Sequence, residues 1–262
     1  MIDPPRLGAP RLHLRVTDST NERAISLARA GAPDGTLVTA SEQTAGRGRQ
    51  GRRWTAPAGR ALLATVIVRQ PPALLALLAA VAVAEAVDDA IGASRSAPTG
   101  DPRSAPTGDP QPQPAEIKWP NDVLLRARKV AGILVEGRPQ EGWAVVGIGC
   151  NVAMREQDFP EELRSQAGTL ALEPEAIETV LDRVLRALER QLSAPTEDVL
   201  SAWRARDALV GKDIAWDGGR GRAAGIDGTG RLVVELPEGG SGGAGGGRMT
   251  LQAGEVHLIP AR

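Results

Sequence analysis

Between Glu22 and Ala30 the apolar residues Ile25, Leu27 and Ala28 form one face, Asp18-Ser19-Thr20-Asn21 precedes them, and Gly31 follows. That order predicts a capped helix with the Ser-Thr-Asn segment at its amino end. Thr36 to Ser41 and Leu62 to Val68 are β-branched and apolar, which predicts two strands joined by a long glycine- and arginine-rich loop. Loops of that length are usually functional or disordered. Ala73 to Ile91 reads as a buried helix, because its apolar residues leave little room for a polar face. Its longest apolar run, Ala73 to Ala84, is twelve residues closed by Glu85, too short to cross a bilayer.

After this helix the segment Arg95-Ser-Ala-Pro-Thr-Gly-Asp-Pro102 recurs letter for letter as Arg103 to Pro110, followed by Gln-Pro-Gln-Pro. Its composition predicts a disordered surface insert over residues 95–114, although a proline-rich ligand for a partner domain has the same composition. Strands are expected around Glu116 to Lys118, Lys129 to Glu136 and Trp143 to Ile148, then helices near Glu175 to Leu192 and Glu197 to Arg206. From Gly211 onward, Asp213 to Trp216, Leu232 to Leu236 and Val256 to Ile259 alternate with glycine turns, the pattern of a small β-barrel of about five strands. The run Gly239 to Gly247 reads as a flexible hairpin tip. The chain is therefore α+β, with a mixed sheet flanked by helices in residues 1–208 and a small barrel in residues 209–262.

Composition narrows what this fold can do. With 262 residues, 42% of them hydrophobic, the chain can bury one sizeable core with a small appendage. Its 31 basic and 32 acidic residues give a net charge of −1, so nothing draws the whole molecule to nucleic acid or an anionic membrane, and any basic site must be local. Pro4, Pro5 and Pro10 interrupt the start, which lacks the basic and apolar regions of a secretory signal and implies a cytoplasmic protein. Cys150 is the sole cysteine and His13 and His257 the sole histidines, which excludes an internal disulfide and a cysteine- or histidine-rich metal site.

Three segments carry candidate chemistry. In Gln43-Thr-Ala-Gly46-Arg47-Gly48-Arg49-Gln50-Gly51-Arg52-Arg53-Trp54, glycines allow close backbone approach and arginines supply cationic forks, which suits a phosphate or a carboxylate. A solvated basic turn or an RNA-contacting patch has the same composition. In Lys118-Trp119-Pro120-Asn121-Asp122, followed by a hairpin connection at Arg126-Ala-Arg128 and then Lys129, two lysines and an amide–carboxylate pair converge near one end of the sheet. Asn-Asp after proline is also an ordinary turn. Val145-Val-Gly-Ile-Gly-Cys150-Asn151 is an apolar strand whose glycines admit a ligand; Cys150 there is a small buried hydrophobe.

Taken in order, Ser19-Thr20-Asn21, Q-T-A-G-R-G-R-x-G-R-x-W, K-W-P-N-D, K-V-A-G-I-L-V-E and G-I-G-C-N-V closely resemble the bacterial biotin protein ligases from about Leu14 to Arg155. The resemblance weakens across the later helices and returns loosely in the barrel, which looks like that family's SH3-like carboxyl domain; the insert is not part of the pattern. It implies a class II synthetase-like biotin/lipoyl ligase fold and two steps. Biotin and ATP give biotinyl-AMP and pyrophosphate, with Mg2+ expected alongside the nucleotide, and a lysine of a biotin carboxyl carrier domain then takes the biotinyl group. By motif match, Ser19, Thr20, Asn21 and Gln43 hydrogen-bond biotin, Gly46, Arg47, Gly48 and Arg49 hold the adenylate, and Lys129 sits at the reacting carboxyl and phosphate. Arg49 and Lys129 are the expected catalytic pair. Trp54, Asn121 and Asn151 are expected nucleotide contacts, and Asp122 is a candidate metal-side carboxylate.

Some members of the family also repress transcription through an amino-terminal helix-turn-helix. Eighteen residues precede Ser19, three of them proline, so a ligase without DNA binding is expected, as a monomer or homodimer. A lipoate protein ligase shares the adenylation logic, but R-G-R paired with K-W-P-N-D favours biotin. A nucleic-acid module built on Arg47 to Arg53 is disfavoured by the net charge and the single phenylalanine. A non-catalytic biotin sensor would require damaged reactive residues, and Lys129 and the arginines are intact.

Overall fold

A computed structural model describes residues 7–96, 113–237, 247–252, 254 and 256–259. In chain order the elements are β1 (Arg11–Thr17), α1 (Thr20–Arg29), β2 (Leu37–Gln43), β3 (Leu62–Arg69), α2 (Leu75–Ser96), β4 (Glu116–Lys118), β5 (Asp122–Leu125), β6 (Arg128–Arg138) and β7 (Trp143–Cys150). They continue with α3 (Ala176–Ser193), α4 (Thr196–Arg204), β8 (Asp213–Trp216), β9 (Gly219–Ile226), β10 (Leu232–Glu235), β11 (Arg248–Leu251) and β12 (Val256–Leu258). The larger sheet runs β1-β2-β3-β7-β6-β5-β4, with β1 parallel to β2 and every other pair antiparallel. The smaller sheet runs β11-β10-β9-β8-β12, all antiparallel. This is the expected α+β architecture.

Side chains on a strand alternate between faces, and here the alternation divides core from cleft. On β3, Leu62, Ala64, Val66 and Val68 join the main core beneath α2 and α3, while Ile67 belongs to a second cluster beneath α1. On β7, Ala144, Val146, Ile148 and Cys150 face the main core, and Trp143 and Val145 face α1. The face that carries α1 therefore also carries Thr65, Gly147 and Gly149, which share the parity of Ile67 and Val145. Helix α3 buries Val180, Leu181, Val184, Leu185 and Leu188, a stripe at helical spacing, whereas α2 is apolar on nearly all sides and lies in the middle of the core.

The two sheets share that core, since Ile214, Ala223, Ile226, Leu232, Val234 and Val256 belong to the same cluster as α2. Ile117 on β4 closes the junction, donating its N–H to Arg206 O at 2.7 Å and accepting from Ala208 N at 3.0 Å. The Arg206 guanidinium binds Asp88 on α2 at 2.7 Å, and the Trp119 indole N–H donates to Gly230 O at 3.1 Å. Gly230 has φ +79°, and a Cβ there would stand 2.5 Å from Leu77, so glycine lets this turn lie against α2.

Three features differ from the sequence expectation. Strand β1 is an edge strand with Leu12 and Val16 exposed, so it lacks the burial pattern that announces a strand. Strand β5 begins at Asp122, inside the segment read as a turn, and Arg126 and Ala127 close the β5–β6 hairpin at φ 52° and 61°. Two such left-handed residues suit a tight hairpin, although glycine or asparagine is the usual signal. Third, Ser19 is the N-cap of α1, but its side chain makes no capping bond. The duplicated insert lies almost entirely outside the described residues, as does most of the glycine run expected at a hairpin tip.

Trp203 on α4 is fully buried beside α2. Trp203→Ala is expected to cost about 3–5 kcal/mol, read as a lower urea midpoint for unfolding.

Candidate active site

One cleft of about 530 Å3 opens over the sheet face just described. Every residue expected to bind ligand lines it except Gly46: Ser19, Thr20 and Asn21 from the start of α1, Gln43 from β2, and Arg47, Gly48, Arg49 and Trp54 from the loop. Asn121, Asp122, Lys129 and Asn151 complete the set. The cleft also takes in Arg52, Lys118 and, from the smaller sheet, Gly254, Val256, His257 and Leu258, none of which had been assigned a role.

The closed end is polar and neutral. Thr20 N donates to Gln43 Oε1 at 2.7 Å, and the Thr20 hydroxyl lies 3.0 Å from the same oxygen. Thr65, fully buried on β3, stands 2.9 Å from the Thr20 hydroxyl and 2.7 Å from Asn21 Oδ1. Asn21 Nδ2 donates to Glu136 Oε2 at 2.9 Å, which fixes its amide orientation. Ser19 is buried, and among the described residues its hydroxyl has no hydrogen-bond partner, leaving it available to a ligand. Thr65 and Glu136 were not foreseen. The one available signal for Thr65 was a lone central hydroxyl in the apolar run Leu62 to Val68.

Glycines make room for these groups. Gly132 on β6 pairs with Gly149 on β7; a Cβ at Gly149 would strike the Trp54 ring at 2.5 Å, and one at Gly132 would crowd it at 3.2 Å. A Cβ at Gly147 would fall 2.1 Å from Asn21 Oδ1. The indole of Trp54 thus lies flat on bare backbone, its Nε1 buried without a partner among the described residues.

The loop is closed upon itself and upon the sheet. Trp54 N donates to Gly46 O at 3.0 Å and Gly48 N to Arg52 O at 2.8 Å. A Cβ at Gly46 would meet Trp54 O at 2.3 Å, so Gly46 shapes the loop's neck rather than lining the cleft. Arg47 binds Glu22 on α1 and reaches Glu136 on β6 at 2.8 Å, which ties the loop to the carboxylate that holds Asn21.

The open end is cationic. Arg49 Nη1 donates to Asn121 Oδ1 at 3.1 Å, while Asn121 Nδ2 donates to Ile133 O at 2.6 Å. Lys129 Nζ binds Asp122 at 2.6 Å and lies 5.8 Å from the Trp54 ring centroid. Burial lowers the pKa of both Arg49 and Lys118; for Lys118 the neighbouring Lys129 and Arg52 add to this and Asp122 opposes it. Asn151 Nδ2 donates to Gly168 O at 2.8 Å, so Asn151 anchors the segment that closes one wall. Burial pushes the Cys150 thiol up to about 12, which leaves it protonated and inert.

Comparison with known proteins adds an independent line. The profile of the Biotin/lipoate A/B protein ligase family matches residues 13–153. A biotin–[acetyl-CoA-carboxylase] ligase of Paracoccus denitrificans is 34% identical over 92% of this chain and 97% of that protein. A bifunctional ligase/repressor BirA of Bacillus spizizenii is 32% identical over 89% of this chain and 71% of its own length. The structure of a biotin protein ligase from Aquifex aeolicus in complex with biotin and ATP superposes with a TM-score of 0.71 at 25% identity, covering 97% of this chain and 100% of that one. The chain belongs to the biotin/lipoate A/B protein ligase family.

Proposed function

We infer that this chain is a biotin protein ligase, which converts biotin and ATP to biotinyl-AMP and pyrophosphate and then transfers biotin to a lysine of a carrier protein. The observation that carries this reading is the polarity of the cleft. Its closed end offers neutral hydrogen-bonding groups, Ser19, Thr20, Asn21 and Gln43, and its open end offers Arg49, Arg52, Lys118 and Lys129. A ligand with an uncharged ureido head, an apolar chain and a carboxylate that meets a phosphate matches that gradient. Identity above 30% to a named biotin–[acetyl-CoA-carboxylase] ligase favours biotin over lipoate.

In the first step the biotin carboxylate attacks the α-phosphate of ATP, and the two anions repel until cationic donors offset the charge. Arg49, oriented by Asn121, and Lys129, held by Asp122, stand where those charges meet. The nucleophile is already ionised, so no base is required. The loop from Gly46 to Trp54, fastened by Arg47 to Glu22 and Glu136, covers the product and keeps water from the mixed anhydride. Gly48 belongs to this cover, and Trp54 walls the chain of the ligand. Asn151 supports the wall beside the nucleotide.

Magnesium, expected with ATP, would offset phosphate charge. The residues present do not form a resident site for it: among the described residues no group of three His, Cys, Asp or Glu could hold a metal, and Asp122 is already bound by Lys129.

The carrier is the biotin carboxyl carrier domain of a biotin-dependent carboxylase. Residues 1–208 act as the catalytic domain and residues 209–262 as the SH3-like barrel, which brings His257 to the rim of the cleft. The ligase works in the cytoplasm as a monomer or homodimer, and its net charge of −1 gives the whole molecule no drive toward DNA or an anionic membrane. No helix among the described residues is long and apolar enough to cross a membrane.

The test is incubation with ATP, magnesium and either biotin or lipoate, then with a carrier domain, followed by mass spectrometry. Biotinyl-AMP and a biotinylated carrier are expected; lipoyl-AMP in their place would overturn the pocket assignment. Gly147→Ala is expected to displace Asn21 and weaken biotin binding by about tenfold or more, equivalent to roughly 1.4 kcal/mol, measured by calorimetry. Arg49→Ala is expected to slow adenylation by about 10²–10³-fold and to release biotinyl-AMP faster than the unaltered protein, measured by filtration of preformed adenylate.

A further inference from the structure

Transfer to the carrier needs a group that the first step does not. An acceptor lysine arrives as an ammonium, and its nitrogen attacks a carbonyl only as it sheds a proton. Among the described residues the cleft lining includes one carboxylate, Asp122, and Lys129 already binds it at 2.6 Å. The two histidines of the chain do not answer the need: His13 lies outside this lining, and His257 enters it from the smaller sheet at the rim.

Lys118 stands directly opposite Asp122 in the β4–β5 pairing, so both side chains leave the hairpin on one face, and both line the cleft. Among the described residues Lys118 makes no hydrogen bond and no ion pair, in contrast to Lys129. The charged groups that face it are Asp122 from β5, Lys129 from β6 and Arg52 from the loop, with Arg49 and His257 lining the same cleft. An amine half-withdrawn from water among cations, with its nearest carboxylate engaged elsewhere, holds its proton less firmly than an exposed lysine.

We propose that Lys118 is the base of the transfer step, its neutral Nζ accepting the proton that the acceptor lysine loses. This rests on the ligase reading. The acceptor ammonium first passes one proton to Lys118 Nζ; the lone pair this frees forms the bond to the acyl carbon of biotinyl-AMP, and the second proton that the nitrogen sheds as it becomes an amide goes to water. The bond from the acyl carbon to the phosphate oxygen breaks, AMP departs with the electron pair, and Lys118 afterwards returns the proton to water. Lys129, paired with Asp122, and Arg49 take no part in this proton transfer, which divides the lysines of the cleft into one that stabilises charge and one that carries a proton.

The experiment measures single-turnover transfer from preformed biotinyl-AMP to the carboxyl carrier domain of an acetyl-CoA carboxylase, using the full chain with Lys118→Met and Lys118→Arg. Arginine keeps the positive charge but does not give up its proton. Transfer is expected to fall about 10²-fold or more in both variants, by far more than adenylation falls. With pH, the residual rate should climb in proportion to hydroxide, without the plateau of the unaltered protein. Replacing the carrier by hydroxylamine, an amine already neutral at pH 7, should remove the deficit. Transfer by Lys118→Arg at the unaltered rate, or a deficit that persists with hydroxylamine, would overturn the role of Lys118 alone. Failure of the unaltered protein to form biotinyl-AMP would overturn the ligase reading itself.

Discussion

The site depends on one face of one sheet having no side chains at three positions. Gly132 and Gly149 pair across β6 and β7, and Gly147 lies two residues from Gly149 on the same face. A methyl group at Gly149 or Gly147 would overlap the Trp54 ring or the Asn21 amide, and one at Gly132 would crowd the Trp54 ring at 3.2 Å. Because the opposite face of the same strands is filled by Ala144, Val146, Ile148 and Cys150 against α2 and α3, the sheet cannot retreat to make room. Bare backbone thus lets Trp54 and Asn21 descend onto the sheet, and the cleft is what lies between and beside them.

Around that floor the charges are arranged as a gradient in which most of the charged groups have a bonded neighbour. Arg47 is held at the neutral end by Glu22 and Glu136, so it fastens the loop, while Arg49, one turn of chain further on, is aimed at the open end by Asn121. Glu136 links the two functions because it also accepts from Asn21. The position of the loop and that of the Asn21 amide are therefore linked through a single carboxylate. At the open end Lys129 is paired and Lys118 is not, a difference that separates two residues of the same type in the same cleft.

The smaller sheet is bound to the larger one by a shared hydrophobic cluster and by the Trp119 indole N–H bond to Gly230 O, so it is not loosely tethered. This attachment brings β12 to the rim, where Val256, His257 and Leu258 extend the wall of the cleft. A surface composed of both sheets is thereby available to a protein substrate that must deliver a lysine to the acyl carbon.

The amino-acid sequence by itself determined the identity of the elements and most of the cleft. Buried strands and helices carry their periodicity in every residue, and the Ser19-Thr20-Asn21, Gln43 to Trp54 and Lys118 to Asp122 segments are contiguous, so the chemistry they share is legible along the chain. Strand β1 escaped because an edge strand need not be buried on either face, and β5 because it is only four residues long and begins at Asp122, inside a Pro-Asn-Asp segment that has the composition of a turn. Only the tertiary structure decided which cation meets which carboxylate, that Thr65 and Glu136 sit under the ligand site, and that β12 borders it. Several of those contacts join residues far apart in the chain, as in Thr65 with Asn21, 44 positions apart, and Asn21 with Glu136, 115 apart. No local pattern encodes such pairings, because they are fixed by the register between strands and by the packing of one sheet against the other.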